Sequence, residues 1–183
     1  MERAAELFAE RGIAATSLDE VLAAAAAGKG QFYHYFRGRD ELVEAAVGHR
    51  CAQVLAGLTQ VLGGVSSLAE LEQALAGFAA GFEQLGLPGC PIGTLAAEVA
   101  GRNEGARLQA AAGFDAWERL LADALARMRD RGELRADARP EVLAAALLAS
   151  IEGGMALSQA RQDPASLRIA VDAGLAQVRM SRS

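Results

Sequence analysis

Two Ser-x-x-Glu boxes, Ser17-Leu18-Asp19-Glu20 and Ser67-Leu68-Ala69-Glu70, constrain this chain more than any other feature. In such a box the serine oxygen accepts the third backbone N–H of a helix while the glutamate reaches back to the N–H of the cap, so each box marks a helix start. The residues after each box keep helical spacing. Beyond the second box Leu68, Leu71, Leu75, Phe78, Phe82 and Leu85 recur by threes and fours, a stripe that a helix buries along one side. The hydrophobic fraction is 52%, much of it alanine, and aromatics make up only 5%. That balance favours helices packed through small side chains over a strand-rich fold, and the expected class is all-α.

Taken in order, residues 2–11 read as a short amphipathic helix closed by Gly12. A second helix begins at Leu18 and runs through Val21 and Leu22 into Ala23–Ala27. Gly28 breaks the pattern and caps a third, from Lys29 to about Tyr35. Two short helices joined by a tight turn are a helix-turn-helix signature. A long fourth helix carries Leu42, Ala46, Cys51, Val54 and Leu58 to Gly63-Gly64, and the fifth starts at the second box. Gly86 to Pro91 is a loop with Pro91 in the first turn of a short sixth helix. The seventh turns Leu108, Phe114, Trp117, Leu121, Leu125 and Met128 inward and Arg119, Arg127, Arg129 and Arg131 outward, ending at Gly132. Pro140 opens an eighth helix to about Gln162, and Pro164 a ninth to about Met180.

These last two helices carry small residues where others have bulk, and their leucines spread around more than one face. Such helices need a second partner, and the simplest is the same pair from another copy of the chain. Leu143, Leu147, Ile151, Leu167, Val171 and Leu175 are the expected dimer interface. The expected domains are a helix-turn-helix head over 1–45 and a larger domain over 46–183.

The net charge of −5 gives the molecule no global footprint of a polyanion binder, so any such role rests on a local patch. Cys51 and Cys90 lie far apart with no CxxC spacing, which indicates neither a disulfide framework nor a zinc site. No metal and no cofactor are expected. The N-terminus carries Glu2, Glu6 and Glu10 instead of a secretory core, and the apolar run Val142–Ala149 is short for a bilayer, so a cytoplasmic protein is expected. No phosphate loop, nucleophile elbow, catalytic carboxylate pair or metal-ligand spacing is present, so an enzyme is not expected.

The local patch is Lys29 to Arg39, which holds three cations, no carboxylate and both tyrosines of the protein. On a recognition helix, Gln31 suits an adenine edge and Lys29 a guanine edge or a phosphate. Gly30 lets the backbone approach closely, and His34 shares that face. Tyr33, Tyr35, Arg37 and Arg39 suit phosphates, with Thr16 and Ser17 beside the second helix cap also within the expected contact set. Phe32 and Phe36 are expected to anchor the short helix on its neighbours.

The strings Ala5-Glu6-Leu7-Phe8-Ala9-Glu10-Arg11-Gly12, Thr16-Ser17-Leu18-Asp19-Glu20-Val21 and Lys29-Gly30-Gln31-Phe32-Tyr33-His34-Tyr35-Phe36 resemble the DNA-binding domain of TetR-family transcriptional repressors over nearly all of residues 4–47. Gly89-Cys90-Pro91-Ile92-Gly93-Thr94-Leu95-Ala96-Ala97-Glu98, with Phe114 and Trp117, is similar to the C-terminal domain of the LmrA-type branch. The resemblance implies a homodimeric repressor on double-stranded DNA, bound at a pseudo-palindromic operator and released by a small, apolar effector. It implies an effector pocket in the C-terminal domain, for which Phe78, Phe82, Leu95, Phe114, Trp117 and Met155 are the candidate lining. A competing reading is a helical ligand-binding or interaction protein with an impaired head. Two departures motivate it: the chain starts inside its first helix, which is short, whereas family members usually carry extra residues before it; and where the family turn commonly has glycine, this chain has Ala26-Ala27-Gly28, and an alanine in a left-handed turn costs roughly 1 kcal/mol. Either a looser turn or a helix ending one residue later is the expected result.

Overall fold

The computed structural model describes residues 1–183 as nine helices without a strand: α1 (Glu2–Arg11), α2 (Leu18–Ala24), α3 (Lys29–Tyr35), α4 (Arg39–Leu62), α5 (Leu68–Gln84), α6 (Pro91–Val99), α7 (Glu104–Asp130), α8 (Pro140–Arg161) and α9 (Ala165–Met180). Both boxes form. Ser17 Oγ and Ser67 Oγ each accept the N–H of the glutamate three residues on at 3.3 Å, and Glu20 and Glu70 return a carboxylate oxygen to the serine N–H at 2.8 and 3.2 Å.

The second helix stops earlier than its alanine run suggested. Ala27 N–H donates to Leu22 O at 2.9 Å and Ala26 N–H to Ala23 O at 3.2 Å, with Ala26 at φ 49. That pair of bonds is a Schellman turn, which satisfies the last carbonyls of α2 but sets an alanine in the left-handed region. The turn is neither loose nor displaced towards Gly28.

By contact density the chain divides into two units, Met1–Val54 with Pro91–Phe114, and Leu55–Cys90 with Asp115–Ser183. The first unit therefore joins the helix-turn-helix residues to α6 and the start of α7. Its core is Ala4, Ala5, Phe8, Ile13, Val21, Leu22, Phe32, Leu42, Val43, Ala46 and Val47, extended by Cys51, Ile92, Leu95, Val99, Ala106 and Ala110. Cys51 lies against Gly113, and burial pushes its thiol pKa up, away from reactivity. Asn103 caps α7 through Oδ1 to Ala106 N–H at 2.8 Å and donates from Nδ2 to Asp40 O at 3.0 Å.

In the second unit Arg127, expected outward, donates to Val65 O at 2.8 Å and Leu62 O at 3.2 Å and so closes the end of α4. Glu133 accepts Leu68 N–H at 2.9 Å. Leu85 is 76% exposed instead of completing the α5 stripe; in the first unit Leu108, expected inward, also faces solvent. Helices α8 and α9 form an antiparallel hairpin closed by Ser158 Oγ, which accepts Leu167 N–H at 2.8 Å. Their axes come close at two glycines: a Cβ on Gly154 would lie 2.8 Å from Ala170 Cβ, and one on Gly174 would lie 2.7 Å from Leu147 Cδ1.

The residues expected at a dimer interface lie mostly inside this hairpin. Leu147, Ile151, Leu167, Val171 and Leu175 are all buried within the chain, and Leu143 is half-buried. The five buried ones pack α8 and α9 within their own unit. The faces left outside are a different stripe. On α8 it is Val142, Ala145, Ala149, Gly153, Ala156 and Ala160, and on α9 Ile169, Ala173 and Met180 with Ala165 and Ala176 at partial exposure. Neither stripe contains a charged residue. By length and composition α8 also meets the requirement for a bilayer span, with a mean hydropathy of 1.4 over 18 residues, more than the run Val142–Ala149 suggested.

Candidate nucleic-acid interface

Helix α3 has seven residues, too few to stand alone, and Phe32 holds it in place. Phe32 is buried, with the Phe36 ring 5.4 Å away and the Tyr33 ring edge-on at 5.1 Å. Successive residues turn by about 100°. With Phe32 and Phe36 pointing inward, Gly30 and His34 point directly away from the core. Gln31 and Tyr35 then flank one side, and Lys29 and Tyr33 the other. Every α3 residue except Phe32 is exposed; Tyr33 stands 60% and Tyr35 68% exposed. Nothing lies within 4 Å of where a Gly30 side chain would begin, so the backbone there is open to close approach. His34 and Tyr35 rings meet edge-on at 4.9 Å. Gln31 and Tyr35 border an apolar hollow of about 480 Å³ floored by Ala4, Val21, Leu22 and Phe32.

Two residues of the expected contact set turn inward. Thr16 is fully buried, and its hydroxyl donates to Gly12 O at 2.8 Å, closing the α1–α2 loop. Arg39 spends its guanidinium on that same loop, donating to Ile13 O and, at 3.0 Å, to Thr16 O. Both side chains spend these polar groups on bonds within the fold. Ser17 is exposed but committed to its cap, where its hydroxyl donates to Glu20 Oε2 at 2.7 Å. Arg37 pairs with Glu41 at 3.3 Å, and its N–H donates to the same carboxylate at 2.7 Å. Lys29 pairs with Asp19 at 3.1 Å.

Sequence reasoning missed the tie that holds the α1–α2 loop. Glu98, near the end of α6, accepts Ile13 N–H at 2.6 Å. The loop is therefore gripped twice, by Glu98 at its N–H and by Arg39 at its carbonyls. A partner 85 residues away leaves no periodic trace in a sequence.

The candidate effector residues fall in both units. In the second, Trp117, Phe82 and Met155 are buried, and half-buried Phe78 meets Trp117 edge-on at 6.0 Å. In the first, Leu95 is buried and Phe114 half-buried. One turn before Met155, Glu152 has a buried Oε1 that makes no hydrogen bond. Burial raises its pKa, against a hydrogen bond from Cys90 that lowers it. This carboxylate was missed, although a lone acid between Glu141 and Asp163 in an apolar helix was a legible signal. His49 on α4 is half-buried with Nε2 shielded.

The arrangement has known counterparts. Residues 1–46 match the family model of bacterial regulatory proteins of the tetR family, and residues 67–173 that of the LmrA/YxaF-like transcriptional regulator C-terminal domain. The HTH-type transcriptional repressor DhaR of Mycobacterium sp. is 26% identical over 158 residues, covering 85% of this chain and 78% of that protein. The transcriptional regulator AcuR of Cereibacter sphaeroides is 30% identical over 164 residues, covering 87% and 75%. Among solved structures, the reduced form of E. coli NemR superposes with a TM-score of 0.79 at 25% identity, over 94% of this chain and 92% of that one. A TetR-family regulator from Cytophaga hutchinsonii shares the fold at TM-score 0.83 and 19% identity, over 99% and 92%. A capped helix-turn-helix with an exposed polar α3, matched at both ends of the chain by the same family, makes this protein a transcriptional regulator of the TetR family, with a DNA-binding helix-turn-helix head.

Proposed function

We propose that the protein is a ligand-responsive repressor that binds a pseudo-palindromic operator as a homodimer and leaves it when a small, apolar effector binds. The observation that carries the reading is α3, which turns Gly30, Gln31, Tyr33 and His34 outward from a buried Phe32 anchor. Side chains of this kind bond base edges and phosphates when a recognition helix enters the major groove. In a dimer the two α3 helices would address half-sites about 34–36 Å apart.

The uncharged outer stripes of α8 and α9 support two-fold pairing, since an exposed helix face without charge is suited to packing against a second copy. The effector reading draws on Phe78, Phe82, Trp117 and Met155 of the second unit, aromatic and aliphatic side chains suited to an apolar ligand. Its leverage is the difference in its affinity for DNA-competent and DNA-incompetent conformers.

Selection of bound fragments from random duplex DNA tests the reading. Enrichment of an inverted repeat is the expected result, with binding to it abolished by Tyr33→Ala combined with Gln31→Ala. Recovery of no sequence motif at low salt by a folded protein would instead favour a helical ligand-binding protein with an impaired head.

A further inference from the structure

The electrostatics of the head are unusual for a surface that meets a polyanion. Residues 1–47 carry eight carboxylates against five lysines and arginines. Each of the five cations is engaged within the chain: Arg3 with Glu6, Arg11 with Glu20, Lys29 with Asp19 and Arg37 with Glu41, and Arg39 with the carbonyls of Ile13 and Thr16. Two of these carboxylates have a second task, because Glu20 and Glu41 also accept backbone N–H groups next to helix starts. Asp19 is different. It lies in the first turn of α2, whose cap is completed by Ser17 and Glu20 without it, and its carboxylate faces Lys29 in the first turn of α3 at 3.1 Å.

We propose that Asp19 is an intramolecular competitor of the DNA backbone: it holds Lys29, the one cation of the recognition helix, so that a duplex must displace a carboxylate before it gains a phosphate contact. The proposal rests on α3 being the recognition helix. An exposed pair of this kind adds little to folding, with the two side chains 68% and 74% exposed. Its effect on a polyanion is larger. While paired, Lys29 contributes no net charge, and once Lys29 has moved to a phosphate, Asp19 remains within a Debye length of it as an uncompensated like charge. Asp19 therefore lowers affinity for every duplex and flattens its salt dependence, leaving base contacts from Gln31, Tyr33 and His34 a larger share of binding.

The test compares full-length wild type, Asp19→Asn, Lys29→Ala and the double variant on a labelled random-sequence duplex of about thirty base pairs over a range of salt, and on a heparin column. Asp19→Asn is expected to bind the duplex about three- to tenfold more tightly near 0.1 M salt, to steepen the slope of log K against log salt by about one, and to elute later from heparin. Lys29→Ala should cost the Asp19→Asn protein more than it costs wild type. A thermal melt within error of wild type confirms that Asp19→Asn leaves the fold intact. The proposal is overturned if Asp19→Asn matches wild type on both polyanions, or if its gain survives Lys29→Ala, which would make it a general charge effect. Should no variant bind any duplex, the DNA-binding reading fails, and the order of elution from heparin still decides the role of Asp19.

Discussion

Ala26 sits at φ 49 in the turn between α2 and α3, a conformation that costs an L-residue about 1–2 kcal/mol and that glycine adopts without strain. Replacing it with glycine also loosens the unfolded chain, which returns part of the gain. Ala26→Gly is expected to stabilise the protein by about 0.5–1 kcal/mol, visible as a higher midpoint in urea; a lower midpoint would mean that the left-handed turn is not held in solution. A second residue-scale consequence concerns acid. The Ser17 N–H and hydroxyl hold the Glu20 carboxyl below its ordinary value of 4.5, and the Arg37 N–H does the same for Glu41. A carboxylate whose pKa is lowered by folding stabilises the fold fully above its unfolded pKa, and that contribution is lost as pH falls through the lowered value. Stability should therefore drop as the pH falls below about 4.5, and Glu20→Gln should flatten that limb in a pH series of thermal melts.

At the level of elements, the α1–α2 loop is held from outside itself, by Glu98 of α6 at the Ile13 N–H and by Arg39 of α4 at the carbonyls of Ile13 and Thr16. Glu98→Ala removes the acceptor of Ile13 N–H and leaves a part-buried donor unmet, a loss of about 1–3 kcal/mol. Glu98→Gln keeps an acceptor and should recover much of it. Hydrogen exchange at the Ile13 amide reads this directly, and equal protection in wild type and Glu98→Ala would show that the contact does not persist. The elements differ in how far they were legible. The starts of α2, α5, α6 and α8 follow from Ser17, Ser67, Pro91 and Pro140, because caps and prolines act within one helical turn. The early end of α2 was obscured by Ala23–Ala27, since five alanines in a row give no local stop and the Schellman bonds to Leu22 and Ala23 supplied it.

For the whole molecule, the outer stripes of α8 and α9 and the inner leucines predict opposite outcomes for similar changes. Ala149→Glu places a charge on the exposed stripe and is expected to give a folded monomer in sedimentation, with helical content unchanged. Leu147→Glu buries a charge in a site of 0% exposure, and is expected to unfold the α8–α9 hairpin, at a cost of several kcal/mol. A dimer that survives Ala149→Glu would place the interface elsewhere.

The all-α class, the order of nine helices, the helix-turn-helix and the family are legible from residues alone, because each rests on signals within one turn of chain or one uninterrupted motif. Tertiary structure alone decided which way the side chains serve. Thr16 and Arg39 suited phosphates by type, yet they close the α1–α2 loop. The leucines of α8 and α9 were read as an interface by their bulk, yet the alanine stripe is what stays exposed. Periodicity defines the faces of a helix; which face is covered depends on neighbours far away in the chain, and a helical repeat of about 3.6 residues carries no record of them. Even α3, whose residues were plain in the sequence, owes the state of its only lysine to an aspartate on the preceding helix that the fold brings to 3.1 Å.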